Sequence, residues 1–162
     1  MGLFKYKINL NSPYFQSEVE MNILTRDFGE VEITKDDIIT FDEKIYGFEE
    51  YTSFIMLYDD EFNGEYVWLQ STEEPELCFI MANPELIADY NPDFKEEAQK
   101  ALGNGECEYW VMMVVNEDIK QTTVNLKSPV IINLKNHKAM QLILEASYPV
   151  KYYLFRDEKE DK

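Results

Sequence analysis

The chain holds only two cysteines, one histidine, six glycines and six prolines in 162 residues. Two cysteines, Cys78 and Cys107, exclude a disulfide-built secreted scaffold. Each lies in a strand-like apolar stretch, where a free thiol serves as a small core residue. That usage points to a reducing compartment, the cytoplasm. The single histidine, His137, leaves a catalytic dyad or a histidine-rich metal site without material. It falls in the basic turn Lys135-Asn136-His137-Lys138 and reads as a solvated turn residue. Neither a phosphate-cradling glycine loop, Gly-x-Ser-x-Gly nor Cys-x-x-Cys occurs. No apolar run approaches the roughly 18–20 residues that span a bilayer, and the first residues lack the apolar core and cleavage site of a signal peptide. Neither cofactor, metal nor membrane partner is expected.

Positive charge is the other scarcity. The net charge is −17, and between Met21 and Gln99 twenty-one acids face four bases: Arg26, Lys35, Lys44 and Lys95. From Gln121 to Lys151 the balance reverses, with four lysines and one acid, Glu145. The acidic half repels phosphate backbones and anionic lipid and attracts cationic proteins at long range. Direct nucleic-acid binding is therefore set aside, and capture of a basic protein partner is taken up.

What the chain does have is apolar and aromatic content, 45% and 14%, enough for a folded single domain. Met1 to Glu20 carries no net charge and a turn-prone Asn11-Ser12-Pro13, and reads as an extension outside the core fold. From Met21 short β-type runs alternate with turn residues. Strands are expected at Met21 to Phe28, Val31 to Ile33, Ile38 to Phe41, Phe54 to Asp60, Tyr66 to Ser71 and Leu77 to Ala82. Others are expected at Cys107 to Val115, Thr122 to Leu126, Val130 to Leu134 and Ala139 to Glu145. Asn63-Gly64 tolerates positive φ and suits a type I′ turn. One helix is expected, capped by Asn91 with Pro92 in its first turn, carrying Phe94, Ala98, Ala101 and Leu102 on one face and ending at Gly103. The fold class is mainly β: a small antiparallel β-barrel-like domain with one or two short helices, spanning 21–155, with a charged tail at 156–162.

Several short motifs in a fixed order resemble one family. Met21-Asn22-Ile23 is followed by Phe28-Gly29-Glu30-Val31, Ile38-Ile39-Thr40-Phe41 and Tyr46-Gly47-Phe48-Glu49-Glu50-Tyr51. Then come Trp68-Leu69-Gln70-Ser71, Asn83-Pro84, Asp89-Tyr90, the run Thr123 to Asn133, and Gln141-Leu142-Ile143-Leu144. The set is similar to FliW, the bacterial flagellar assembly factor; Asp42 stands where that family commonly has proline. The resemblance implies a non-enzymatic cytoplasmic adaptor with a β-barrel-like fold. It would bind newly made flagellin, and also bind CsrA, a small basic RNA-binding regulator, so relieving repression of flagellin translation.

The acidic half supplies candidates for a charged rim: Glu49, Glu50, Asp59, Asp60, Glu73, Glu74 and Glu76. Tyr46, Phe48 and Tyr51 are candidates for an apolar centre, with core packing the competing role for Phe48. Two further readings are carried. One is an acidic nucleic-acid mimic that fills the RNA groove of a basic protein. The other is an enzyme built on paired carboxylates, for which Asp36-Asp37, Glu49-Glu50, Asp59-Asp60 and Glu73-Glu74 are the material. Neighbours in a strand point to opposite faces, so adjacency alone makes no such pair.

Overall fold

The computed structural model describes residues 21–157. The expected extension at 1–20 and most of the charged tail, from 158 on, lie outside the described residues. Strand β1 (Met21–Leu24) and strand β2 (Glu30–Ile33) form an antiparallel hairpin whose turn uses Gly29 at φ 69°. Then follow β3 (Ile39–Glu43), β4 (Ser53–Leu57), β5 (Tyr66–Ser71) and β6 (Cys78–Ala82). Helix α1 (Lys95–Leu102) precedes β7 (Cys107–Val114), β8 (Thr123–Val124), β9 (Val130–Asn133), β10 (Lys138–Gln141) and β11 (Tyr152–Tyr153).

Seven of these strands close into a barrel in the order β3-β4-β5-β6-β7-β9-β10, with β10 returning to β3. Closure removes the bare edges that a small open sheet would expose. All pairings are antiparallel except the closing one: β10 runs parallel to β3, with Ala139 opposite Phe41. A ring of strands can alternate direction throughout only when their number is even. Seven strands therefore force one parallel pair into the otherwise antiparallel barrel that the sequence suggests.

Alternation divides each barrel strand between inside and outside. In β4, Phe54 and Met56 join the interior with Phe41, Leu69, Met81, Trp110, Val130 and Ile132, while Ile55 and Leu57 face outward. Three outer layers cover the outward apolar faces. The β1–β2 hairpin lays Ile23, Val31 and Ile33 against Ile55, Leu57 and Trp68. Helix α1 sets Ala98 and Leu102 on Ile131 and Met140. The β8–β11 ribbon, which the sequence signals only at β8, continues the sheet from the end of β7. β7 is thus sandwiched along most of its length, which explains its apolar residues on both faces; only its last residue, Val114, is widely exposed.

Two local expectations need correction. Helix α1 starts at Lys95, not beside Asn91, and Phe94 precedes it without any side-chain cap. The Phe94 ring stacks edge-on against Tyr109 at 4.9 Å, so a tertiary contact sets the start in place of a capping bond. Asn63 (φ 49°) and Gly64 (φ 79°) do form the left-handed turn, closed by the Glu65 amide donating to the Phe62 carbonyl at 2.9 Å. It does not join two paired strands directly, because a 3-10 turn, Asp60–Phe62, stands between it and β4.

Candidate functional site

β4 enters the barrel wall at Ser53 and leaves at Leu57, so the loops before and after it lie at opposite ends of that strand. This divides the predicted rim. The loop 44–52 carries Tyr46, Phe48, Glu49, Glu50 and Tyr51. It meets the β5–β6 connection, where Glu73 Oε2 accepts hydrogen bonds from the Thr52 and Ser53 amides at 3.0 and 3.3 Å. Glu74 and Glu76 share that connection, Glu74 Oε1 accepting from the Glu76 amide at 3.2 Å. Asp59 and Asp60 stand at the other end, where Asp59 Oδ1 caps the 3-10 turn through the Glu61 amide at 3.0 Å. The ten candidate residues therefore form two groups, eight at one end and two at the other.

Within the loop 44–52 the aromatic residues take different roles. Phe48 stacks edge-on against Phe79 at 5.0 Å, and Tyr51 packs half-buried on the barrel core. Tyr51 is thereby anchored on the core, whereas Phe48, 38% exposed, is held by its edge contact with Phe79. Tyr46 is 56% exposed, its side chain turned outward, while its amide donates to the side-chain oxygen of buried Gln141 at 3.2 Å. Beside it lies a shallow cavity of about 320 Å³, lined by Tyr46, Asp42, Glu43, Glu49, Met140 and Leu142 among others. Glu49 accepts a hydrogen bond from the Gly47 amide at 3.0 Å. That bond, then one from its own amide, holds its carboxyl below the usual glutamate range, so it stays charged. The cavity is not uniformly acidic: Lys44 lines it, and Lys138 pairs with Asp42 at 2.9 Å.

Sequence reasoning misses Asp42, Glu43 and the β10 residues here, because they reach Tyr46 only through the parallel β3–β10 closure. One base of the acidic half is committed to the fold. Arg26 binds Asp27 at 2.7 Å and donates to the Cys78 carbonyl at 2.9 Å, fastening the β1–β2 turn to β6. At the opposite end a second cavity, about 200 Å³, is lined by His137, Asp36, Asp37, Tyr58 and Glu108 over an apolar floor. His137 is thus half-buried beside acids, at φ 57°, and not the solvated turn residue that the sequence suggested. No serine, threonine, cysteine or lysine lines that cavity. Among the described residues no group of three or more His, Cys, Asp or Glu is placed to hold a metal ion, and no helix is long and apolar enough to cross a membrane.

What these two ends offer is surface chemistry: carboxylates beside exposed aromatic or aliphatic side chains, on loops held by a rigid barrel. Comparison with known proteins gives the same architecture a context. The family model described as FliW protein matches residues 22–154. The flagellar assembly factor FliW of Caldicellulosiruptor saccharolyticus is 39% identical over 140 residues, covering 83% of this chain and 91% of that protein. That of Lachnoclostridium phytofermentans is 38% identical over 153 residues, covering 87% and 98%. A crystal structure of the flagellar assembly factor FliW superposes with a TM-score of 0.77 at 28% identity, over 85% of this chain and 99% of that one.

Proposed function

Because the chain belongs to the FliW family of flagellar assembly factors, we propose that it works without catalysis, as a cytoplasmic adaptor. It binds flagellin before export and, when flagellin is gone, captures the basic regulator CsrA, so that flagellin translation resumes. The observation that carries this reading is the group of eight candidate residues at one barrel end. There outward Tyr46 borders a cavity lined by Asp42, Glu43, Glu49, Met140 and Leu142, and Glu50, Glu73, Glu74 and Glu76 add a carboxylate rim on the loops of the same end. Such a rim speeds encounter with a cationic surface and selects it, while the apolar centre supplies the lasting contact.

Titration calorimetry of the full chain against CsrA at about 50 and 500 mM salt tests the proposal. Screening shortens the reach of exposed charge from about 10 Å near 0.1 M to about 3 Å at 1 M. Affinity is expected to fall by about tenfold or more between the two salts, and added flagellin should displace CsrA. Absence of CsrA binding at the lower salt, or a stable complex of all three proteins, overturns the proposed exchange.

A further inference from the structure

The chain carries two Asn-Gly pairs, Asn63-Gly64 and Asn104-Gly105, and the fold treats them differently. Both stand in exposed connections. Asn104-Gly105, between α1 and β7, is fastened from two sides. Asn104 Oδ1 accepts from Gln99 Nε2 at 2.8 Å, and its carbonyl accepts from the side chain of buried Asn133 at 3.3 Å. Gly105 lies so close to the β9–β10 turn that an added Cβ would stand 2.7 Å from Asn133 Oδ1 and 2.9 Å from Lys135 Cβ. Asn63-Gly64, between the Asp60–Phe62 turn and β5, is held far less. An added Cβ at Gly64 would meet nothing within 4 Å. Among the described residues neither the Asn63 carboxamide nor the Gly64 amide has a hydrogen-bond partner. The Gly64 carbonyl accepts one long bond, from Asn83 Nδ2 at 3.4 Å.

In an Asn-Gly pair the glycine amide reaches the asparagine carboxamide carbon most easily, because glycine has no Cβ to obstruct the approach. Reaction requires the two groups to come within about 3–3.5 Å, with the chain free to turn. At Asn63 neither packing nor a hydrogen bond of the reacting groups opposes that turn. We propose that Asn63 is a site of spontaneous modification to aspartate or isoaspartate, and that the fold protects Asn104 from the same reaction. The Gly64 nitrogen bonds to Asn63 Cγ, the Cγ–Nδ2 bond breaks, and Nδ2 leaves as ammonia with the Gly64 amide proton. Water then breaks one of the two acyl C–N bonds of the resulting cyclic imide. Cleavage at Cγ gives aspartate with the chain path unchanged. Cleavage at the main-chain carbonyl carbon gives isoaspartate, whose backbone runs through the former side chain. Either product adds a negative charge to the loop that already carries Asp59, Asp60 and Glu61. Isoaspartate also lengthens the backbone by one atom inside the turn that the Glu65 amide closes onto the Phe62 carbonyl at 2.9 Å. That turn sets the Phe62 ring against Tyr66 and Trp68, at 5.5 and 5.9 Å, so its loss loosens the barrel end that carries Asp59 and Asp60. The inference does not depend on the CsrA reading.

The test holds the full chain in mildly alkaline buffer, samples it over days, and reads digested peptides by mass spectrometry. The peptide containing Asn63 should gain the deamidation mass about tenfold faster, or more, than the one containing Asn104, the factor that one or two retained hydrogen bonds confer. In urea, where neither pair keeps its fold, the two rates should converge. Asn63→Gln would need a larger ring, and position 63 should then stay unmodified. In the isoaspartate fraction of the modified chain, the Glu65 amide hydrogen should exchange faster than in the parent. Equal rates at the two pairs in the folded chain overturn the proposal, as does faster reaction at Asn104. So does a difference that persists undiminished in urea, or a mass gain that persists at position 63 in the variant. An Asn63 that stays intact while the unfolded chain reacts at both pairs overturns it as well. Unchanged exchange at Glu65 overturns the consequence drawn for the turn.

Discussion

Among single residues, the two cysteines show how the same side chain acquires different reactivity from its surroundings. Cys78 is 8% exposed on β6, and burial pushes its thiol up to about 12, against a lesser opposing pull from Arg26. Cys107 is half-buried at the start of β7 and is raised as well, again by burial, but it borders an open groove beside Gly105. Because the thiolate is the nucleophile, each unit of rise removes about nine-tenths of the reactive form near neutral pH. A maleimide at pH 8 should therefore modify Cys107 before Cys78, by a factor of about ten or more, as read by mass spectrometry of digested protein. Equal rates would mean that β6 opens as readily as the groove. Asn133 illustrates the opposite case, a polar residue fully committed to the fold. Completely buried, it donates to the Leu102, Gly103 and Asn104 carbonyls at 3.2–3.3 Å and accepts from the Lys135 amide at 2.9 Å. It thereby ties the end of α1 to the β9–β10 turn. Its place at the end of the motif running from Thr123 has this physical reason, which no reading of spacing alone supplies.

The loop 44–52 is the element on which the candidate site depends, and its aromatics divide between contact with the barrel and exposure to solvent. Phe48→Ala removes the edge contact with Phe79 and should cost about 1–2 kcal/mol of stability, since the ring is only partly buried. Tyr46→Ala removes an outward ring and should leave stability within about 0.5 kcal/mol while weakening the CsrA complex. Urea unfolding paired with calorimetry separates the two; a Tyr46 variant that unfolds as easily as the Phe48 variant would make this loop structural throughout. The strands are legible in the sequence because apolar alternation and Gly, Asn and Pro punctuation are local signals, and β5 falls at the residues expected, Tyr66 to Ser71. Which strands meet is not local. The Tyr46 amide finds Gln141 across 95 positions of sequence, through a parallel pairing that only ring closure dictates. The two-residue strand β11 has too few residues to show a period, and the start of α1 is set by the Phe94 contact with Tyr109. The candidate site follows the same rule. Its residue types can be read from charge and aromatic content, but their division between two barrel ends depends on the direction of β4.

Across the whole molecule, the acidic charge does two things that experiment can separate. Its summed field acts at a distance, and a carboxylate at either end of the barrel contributes to it about equally. Its contact role is local and depends on which end a partner occupies. Two double variants make the distinction: Glu49→Lys with Glu50→Lys at the Tyr46 end, and Asp59→Lys with Asp60→Lys at the other. Each changes the net charge by the same amount, and all four residues stand on loops outside the barrel core. Both variants should slow association with CsrA several-fold at about 50 mM salt, and the two losses should converge as salt rises. Dissociation should respond differently, because it reports contacts in the formed complex and not the approach to it. The Glu49 and Glu50 variant should dissociate faster by about tenfold, whereas the Asp59 and Asp60 variant should keep the parent rate. Stopped-flow mixing for association and a displacement chase for dissociation give both numbers on the same samples. If the Asp59 and Asp60 variant is the one that dissociates faster, the seat of CsrA is the far mouth of the barrel. The cavity beside Tyr46 would then be left to flagellin.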